Sequence, residues 1–355
     1  MTDLFRVFGE GDDLYEAMVS SIRAASRRIV LASYILAADE VGWVLLGELM
    51  SQARRGLDVR IHVDAMGSGR VLTRFQSRLL RAAGVRLKRF HRWSWRQPMR
   101  YNRRDHRKLL VIDGETAYLG GFNIHREASK RVYGETRWRD LHVRITGPLA
   151  AEAEALFNAF WHGHTGWSPP RQPGHGDQII PNTTRACRIL LRCTIKAQLA
   201  RASESIWLES PYFVPDRGLR KQLILAAGRG VDVRILTTRK TDSPPAQWAA
   251  RSIYGGLLAN GIRIFEYQPR LLHSKLLLVD EDWASIGTAN FDYRSMFLNY
   301  ELTLVSGNRT LNSQLKAEVL RDLQDCHEVT GQAWKNRGVI DYLYDTLGRL
   351  LRRWL

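Results

Sequence analysis

The sequence predicts an α/β fold made of two homologous halves. They pack as a pseudo-twofold dimer with mixed, largely parallel sheets and the active site at the seam. Three observations carry this. The stretch His106-Arg107-Lys108-Leu109-Leu110-Val111-Ile112-Asp113, followed by Gly120-Gly121-Phe122-Asn123, recurs without a gap as His273-Ser274-Lys275-Leu276-Leu277-Leu278-Val279-Asp280, followed by Gly287-Thr288-Ala289-Asn290. The likeness runs upstream: residues 21–33 parallel 198–210, and Arg55-Gly56-Leu57-Asp58-Val59-Arg60-Ile61 parallels Arg229-Gly230-Val231-Asp232-Val233-Arg234-Ile235. Helix-like and strand-like patterns alternate through both copies, as in an α/β chain.

The elements follow in order. Residues 41–55 and 219–229 read as amphipathic helices that end at Gly56 and Gly230, each leading into a strand. Residues 85–104 mix Arg and Lys with Phe90, Trp93, Trp95 and Tyr101. Aromatic and basic side chains together suit a lipid headgroup layer or stacked bases, or simply a basic loop at a pocket mouth. Residues 109–112 and 276–279 are short apolar runs of the buried-strand kind. Asp113-Gly114 and Asp280-Glu281 read as turns, and second strands follow at 117–119 and 283–286. Residues 163–181, rich in Gly, Pro and His, read as a linker, with His162, His164 and His175 as solvated loop residues. The expected division is 1–165 for the first half, 166–181 for the linker, 182–335 for the second half and 336–355 for a basic amphipathic helix. In that helix Leu343, Leu347, Leu350, Leu351 and Trp354 fall at helical spacing, largely opposite Arg349, Arg352 and Arg353.

With 45% hydrophobic and 25% charged residues, the 355-residue chain has the composition of a globular protein with ample core. A net charge of +17 implies an anionic partner: nucleic acid, acidic membrane or a phosphate-bearing substrate. Cys187, Cys193 and Cys326 show no metal spacing and no even disulfide framework, which points to a reducing compartment. The first residues lack the pattern of a signal peptide, and the longest apolar run, 29–38, falls short of the roughly 20 residues that span a bilayer. Membrane contact is therefore expected to be peripheral.

Each copy places an imidazole and an ammonium two residues apart, and so on one face of an extended chain. Gly and Asn follow at a tight bend. Two copies face to face offer two imidazoles, two ammonium groups and two amides. A phosphodiester needs a nucleophile, a proton donor for the leaving oxygen and cations for the equatorial oxygens. This set supplies them with no metal and no cofactor, and an ammonium would repel a metal ion. Asp113 and Asp280, beyond the apolar runs, suit turn fixing by backbone hydrogen bonds better than direct chemistry.

The doubled H-x-K-x4-D motif resembles the HKD signature of the phospholipase D superfamily. Ser210-Pro211-Tyr212-Phe213-Val214-Pro215-Asp216, Gly287-Thr288-Ala289-Asn290-Phe291-Asp292-Tyr293-Arg294-Ser295 and Trp138-Arg139-Asp140 resemble bacterial cardiolipin synthases, closest to members without transmembrane helices. The resemblance covers roughly residues 14–306. It implies transfer of a phosphatidyl group from phosphatidylglycerol to a second phosphatidylglycerol through a phosphohistidine, with glycerol released. The implied catalytic set is His106, Lys108, Asp113, His273, Lys275 and Asp280, with His106 as nucleophile and His273 as acid/base. Asn123 and Asn290 would hold phosphoryl oxygens. By the same resemblance Asp140 would orient His106 and Glu301 would orient His273. Lipid contact is expected from Trp93, Trp95, Tyr212, Phe213, Arg349, Arg352 and Arg353, on the cytoplasmic face of the inner membrane, with nucleic acid disfavoured as a partner. Two rival readings share the scaffold: a hydrolytic phospholipase D that makes phosphatidic acid, and a superfamily nuclease.

Overall fold

The computed structural model describes residues 4–91, 95–96, 101–164 and 176–351; Trp93, His175, Arg352, Arg353 and Trp354 lie outside them. In the first half the strands are β1 (Phe5–Phe8), β2 (Arg28–Ser33), β3 (Asp58–Asp64), β4 (Arg86–Phe90), β5 (Leu109–Ile112), β6 (Thr116–Gly120) and β7 (His142–Thr146). In the second they are β8 (Gln178–Pro181), β9 (Ser205–Glu209), β10 (Asp232–Thr238), β11 (Arg263–Tyr267), β12 (Leu276–Val279), β13 (Trp283–Gly287), β14 (Leu302–Ser306) and β15 (Cys326–Val329). The sheet orders are β1-β7-β6-β5-β2-β3-β4 and β15-β11-β10-β9-β12-β13-β14-β8. The second repeats the first, with β8 in the place of β1 and β15 added beside β11. The last four residues of the stretch read as linker thus form the edge strand β8, paired with β14.

Both sheets are mixed. Parallel pairing is confined to β2-β3-β4 and β9-β10-β11. The other pairs are antiparallel, a larger share than the sequence reading allowed. The reason is local: each motif strand turns straight back through Asp113-Gly114 or Asp280-Glu281 instead of crossing over a helix. Gly56 and Gly230 have φ of +95° and +90°, the left-handed geometry that stops each preceding helix.

One core cluster joins the halves. It takes Val30, Leu109, Val111 and Leu119 from the first sheet, Leu236, Leu276, Leu278 and Ile286 from the second, and packs helices 148–161 and 309–324 between them. Separate clusters cover the outer face of each sheet. β5 and β12 are buried on both faces, which explains their unbroken apolar sequences. The seam is stitched by main chain as well. Asp105 bridges Tyr300, and Arg139 bridges Leu272.

Candidate active site

Those two bridges place the motif histidines. The His106 N–H donates to Tyr300 O at 2.9 Å, and the His273 N–H donates to Arg139 O at 2.7 Å. Tyr300 precedes Glu301 and Arg139 precedes Asp140, so each imidazole meets the acid of the opposite half. His106 Nδ1 lies 3.0 Å from Glu301 Oε2, and His273 Nδ1 lies 2.6 Å from Asp140 Oδ2. The expected pairing within each half is therefore corrected: Glu301 orients His106, and Asp140 orients His273. The cause is the seam itself, where the segment ahead of each motif strand pairs with the other half's chain rather than with its own.

Nδ1–H donation to a buried carboxylate fixes the tautomer and leaves Nε2 with its lone pair. Both histidines line one cleft of ≈ 460 Å³. Its wall also includes Asn123, Asn290, Tyr34, Trp138, Tyr212, Asp242, Asp292, Arg294 and Asn299. The Tyr34 ring stands edge-on to His106 with centroids 4.9 Å apart, and Trp138 lies 5.1 Å from His273.

The motif lysines lie beneath the histidines. Lys108 Nζ donates to His106 O at 2.9 Å, and Lys275 Nζ donates to His273 O. Lys275 Nζ also sits 2.7 Å from His273 Nδ1 and 3.7 Å from Asp140 Oδ2. With the Nδ1 proton given to Asp140, the ammonium is a neighbouring charge there rather than a donor. Burial, then the charge of Lys275, brings Lys108 down to about 7. Burial, then Lys275, brings His273 down to about 4; burial lowers His106 against the opposing charge of Glu301. The free site thus keeps both imidazoles neutral near pH 7.

The residues that flank the motifs shape the acids. A Cβ at Gly121 would fall on the Asp140 carboxylate, so only glycine permits that approach. Its counterpart Thr288 instead donates Oγ1–H to Glu301 Oε2 at 2.6 Å. Asn123 Oδ1 accepts from Ile35 N–H at 3.1 Å.

Other expected residues fall elsewhere. Asp113 and Asp280 sit at the far ends of β5 and β12 and do not line the cleft. Asp113 accepts from the N–H groups of Ser26, Arg27 and Arg28 at 2.7–2.9 Å, and Asp280 accepts from those of Ser203, Glu204 and Ser205 at 2.8–3.1 Å. Their φ values of +54° and +51° fit tight turns. A direct chemical role for them is replaced by a clamp that ties each motif strand to its neighbour. Phe213 is core, 0% exposed, within the cluster on the outer face of the second sheet, while the preceding Tyr212 lines the cleft. Trp95 is 77% exposed, and Arg349 lies on the surface of the last helix.

Sequence reasoning missed Tyr34, Trp138, Asp242, Asp292, Arg294 and Asn299 as cleft residues. Asp292 and Arg294 stand in the same run as Asn290, which was the available signal. Asp242 follows β10 in a loop with no motif of its own.

Residues 18–161 and 195–323 match the family model described as cardiolipin synthase, PLD-like domain. The chain belongs to that family. A cardiolipin synthase of Geobacillus is 33% identical over 98% of this chain and 71% of its own length. One from Staphylococcus aureus is 30% identical over 98% of this chain and 72% of its own. Among solved structures, the chain is similar in fold to phosphatidylserine synthase of Haemophilus influenzae (TM-score 0.75, 13% identity, 100% of this chain and 93% of that one). It is also similar to polyphosphate kinase of Porphyromonas gingivalis (TM-score 0.64, 15% identity, 98% and 52%). Family membership makes the chain a phospholipase D superfamily phosphatidyltransferase whose substrate is a phospholipid. Among the described residues, no helix is long and apolar enough to cross a membrane.

Proposed function

We propose that this cardiolipin synthase-family chain transfers a phosphatidyl group between two molecules of phosphatidylglycerol by double displacement. The supporting observation is that His106 and His273 line one cleft, each with Nδ1 on a buried carboxylate. His106 Nε2 attacks phosphorus; the N–P bond forms as the P–O bond to glycerol breaks. His273 protonates the departing oxygen. The Asp242 carboxylate acts on His273 and favours its charged form, and a bound phosphodiester anion does the same. Glycerol leaves. The hydroxyl of the second lipid then gives its proton to His273 and attacks phosphorus, which releases His106 and yields cardiolipin. Lys275, together with Lys108 once the phosphodiester anion raises it from about 7, holds positive charge under the reacting phosphoryl group, and Asn123 donates amide protons to its oxygens.

Water in place of the second lipid would give phosphatidic acid. Phosphatidylglycerol vesicles with purified chain, read by thin-layer chromatography, separate these outcomes. Cardiolipin plus glycerol is expected; phosphatidic acid alone would make the chain a hydrolase, and no lipid product would return the question to nucleic acid.

Membrane contact is read from the last helix, Val339–Leu351. It docks by stacking Tyr344 on Trp248 at 4.8 Å and by pressing Gly348 against the Trp248 backbone. The opposite stripe carries Val339, Leu343, Leu347 and Leu350, with Val339 85% and Leu350 70% exposed. Its neighbour, helix 244–251, supplies Ala246 to the cleft wall. An apolar stripe beside the cleft mouth suits peripheral binding at an anionic bilayer, such as the cytoplasmic face of the inner membrane. Leu343→Asp with Leu350→Asp is expected to abolish sedimentation with acidic vesicles; undiminished sedimentation would refute this placement.

A further inference from the structure

The pseudo-twofold is broken on one wall of the cleft. In the first half the Asn123 carbonyl is satisfied by Ile35 N–H. In the second, Asn290 Oδ1 has no hydrogen-bond partner among the described residues, although the side chain is buried. Its orientation is set, because the Asn290 amide donates to Asp292. Ser295 Oγ and Asn299 Oδ1 are likewise buried without a partner among the described residues, and both residues line the same cleft. Across from them Tyr212 donates its hydroxyl to Asp242.

The orphaned atoms identify what they await. Two are carbonyl oxygens, which only accept, and two carboxylates stand beside them. A phosphodiester brings no proton to give. It would add acceptor to acceptor, so the phosphoryl group does not belong on this wall. A ligand with several hydroxyls donates to Asn290, Asn299, Asp242 and Asp292 and accepts from Ser295 and Arg294. An ammonium headgroup would also donate, but it has nothing for Arg294 and would face that guanidinium.

We propose that the Asn290–Asn299 turn and Asp242 form a polyol subsite, which holds the glycerol headgroup first as leaving group and then as acceptor. The inference rests on the transferase reading above. It adds the residues that choose the alcohol. One subsite serves both steps because the entering hydroxyl must occupy the position that the leaving one vacated.

The test isolates acceptor choice from donor binding. Full-length chain is given a phosphatidyl ester of p-nitrophenol, with glycerol and 1-propanol present together in equal concentration. Mass spectrometry then reads the ratio of phosphatidylglycerol to phosphatidylpropanol. Both products come from one phosphatidyl-enzyme, so the ratio reports the subsite alone. The unaltered chain is expected to favour glycerol strongly, and Asn299→Leu or Asp242→Asn to lower the ratio on the order of tenfold. Asp242 is at the rim, so its variant guards against misfolding of the buried one. A wild-type ratio near one, equal ratios in all three proteins, or ethanolamine outcompeting glycerol in a parallel mixture would each overturn the subsite while leaving the transferase reading intact. No phosphatidyl product of any kind, alcohol ester or acid, would overturn both.

Discussion

Asp140→Asn probes the crossed arrangement most sharply. Asp140 Oδ1 accepts from Leu141 N–H at 2.8 Å, and Oδ2 faces His273 Nδ1 at 2.6 Å. In the variant the amide oxygen must keep the Leu141 bond, so the NH₂ group is left facing His273. It then donates to Nδ1 and forces the proton onto Nε2, the wrong tautomer for the acid/base cycle. Where a carboxylate of this kind becomes an amide, turnover falls roughly ten-thousand-fold, about 5 kcal/mol in the barrier. Glu301→Gln differs. Its Oε2 already accepts from the Thr288 hydroxyl, so the amide oxygen stays there and the His106 tautomer survives. The loss should be about ten- to a hundredfold, the worth of one charge-assisted hydrogen bond. Stopped-flow with the p-nitrophenyl phosphatidyl ester assigns the defect, since p-nitrophenolate leaves without a proton. Asp140→Asn should release one equivalent rapidly and then stall, because His273 acts as acid in the first step and as base in the second. Absence of that burst would refute the reasoning, since Asp140 would then be serving the nucleophile.

Three further outcomes follow from the same geometry. Gly121→Ala should displace the Asp140 carboxylate and cut turnover at least a hundredfold with near-native circular dichroism. Asp113→Ala removes three main-chain acceptor contacts and leaves alanine at φ +54°, so urea unfolding should show a loss of about 2 kcal/mol with turnover per folded molecule within twofold of wild type. Glu209, pushed up to about 8 by burial and then by the charge of Asp322, holds a proton in the fold that the unfolded chain loses near 4.5. It therefore lowers stability as pH rises from 4.5 through 8, with a slope of at most about 1.4 kcal/mol per pH unit, and Glu209→Gln should flatten that decline in pH-dependent unfolding curves.

The doubled motif was legible because its spacing sets its geometry: His106 and His273 reach the cleft, and the lysines lie just below. The upstream repeat likewise foretold matching strand orders. The partner of each histidine was not legible. The resemblance assigned Asp140 to the histidine of its own half, but the seam bridges at Asp105 and Arg139 pair each segment with the other half. Arg139 shows the same limit. Nothing in the Trp138-Arg139-Asp140 run marks it as buried, yet it lies between Asp322 at 2.8 Å and Glu318 at 2.9 Å, both from a helix nearly two hundred residues away. Phe213 was expected to contact lipid alongside Tyr212, but alternation of side chains sends the two in opposite directions, Tyr212 to the cleft and Phe213 into the core.

The central claim is that imidazoles from two halves act in turn on one phosphorus. Quenching with denaturant at mildly alkaline pH during turnover of phosphatidylglycerol, because the N–P bond is acid-labile, followed by digestion and mass spectrometry at the same pH, tests it directly. The predicted result is one phosphatidyl group per chain, on His106, chased into cardiolipin when fresh lipid is added. Cardiolipin formation with no histidine adduct at any quench time would contradict it.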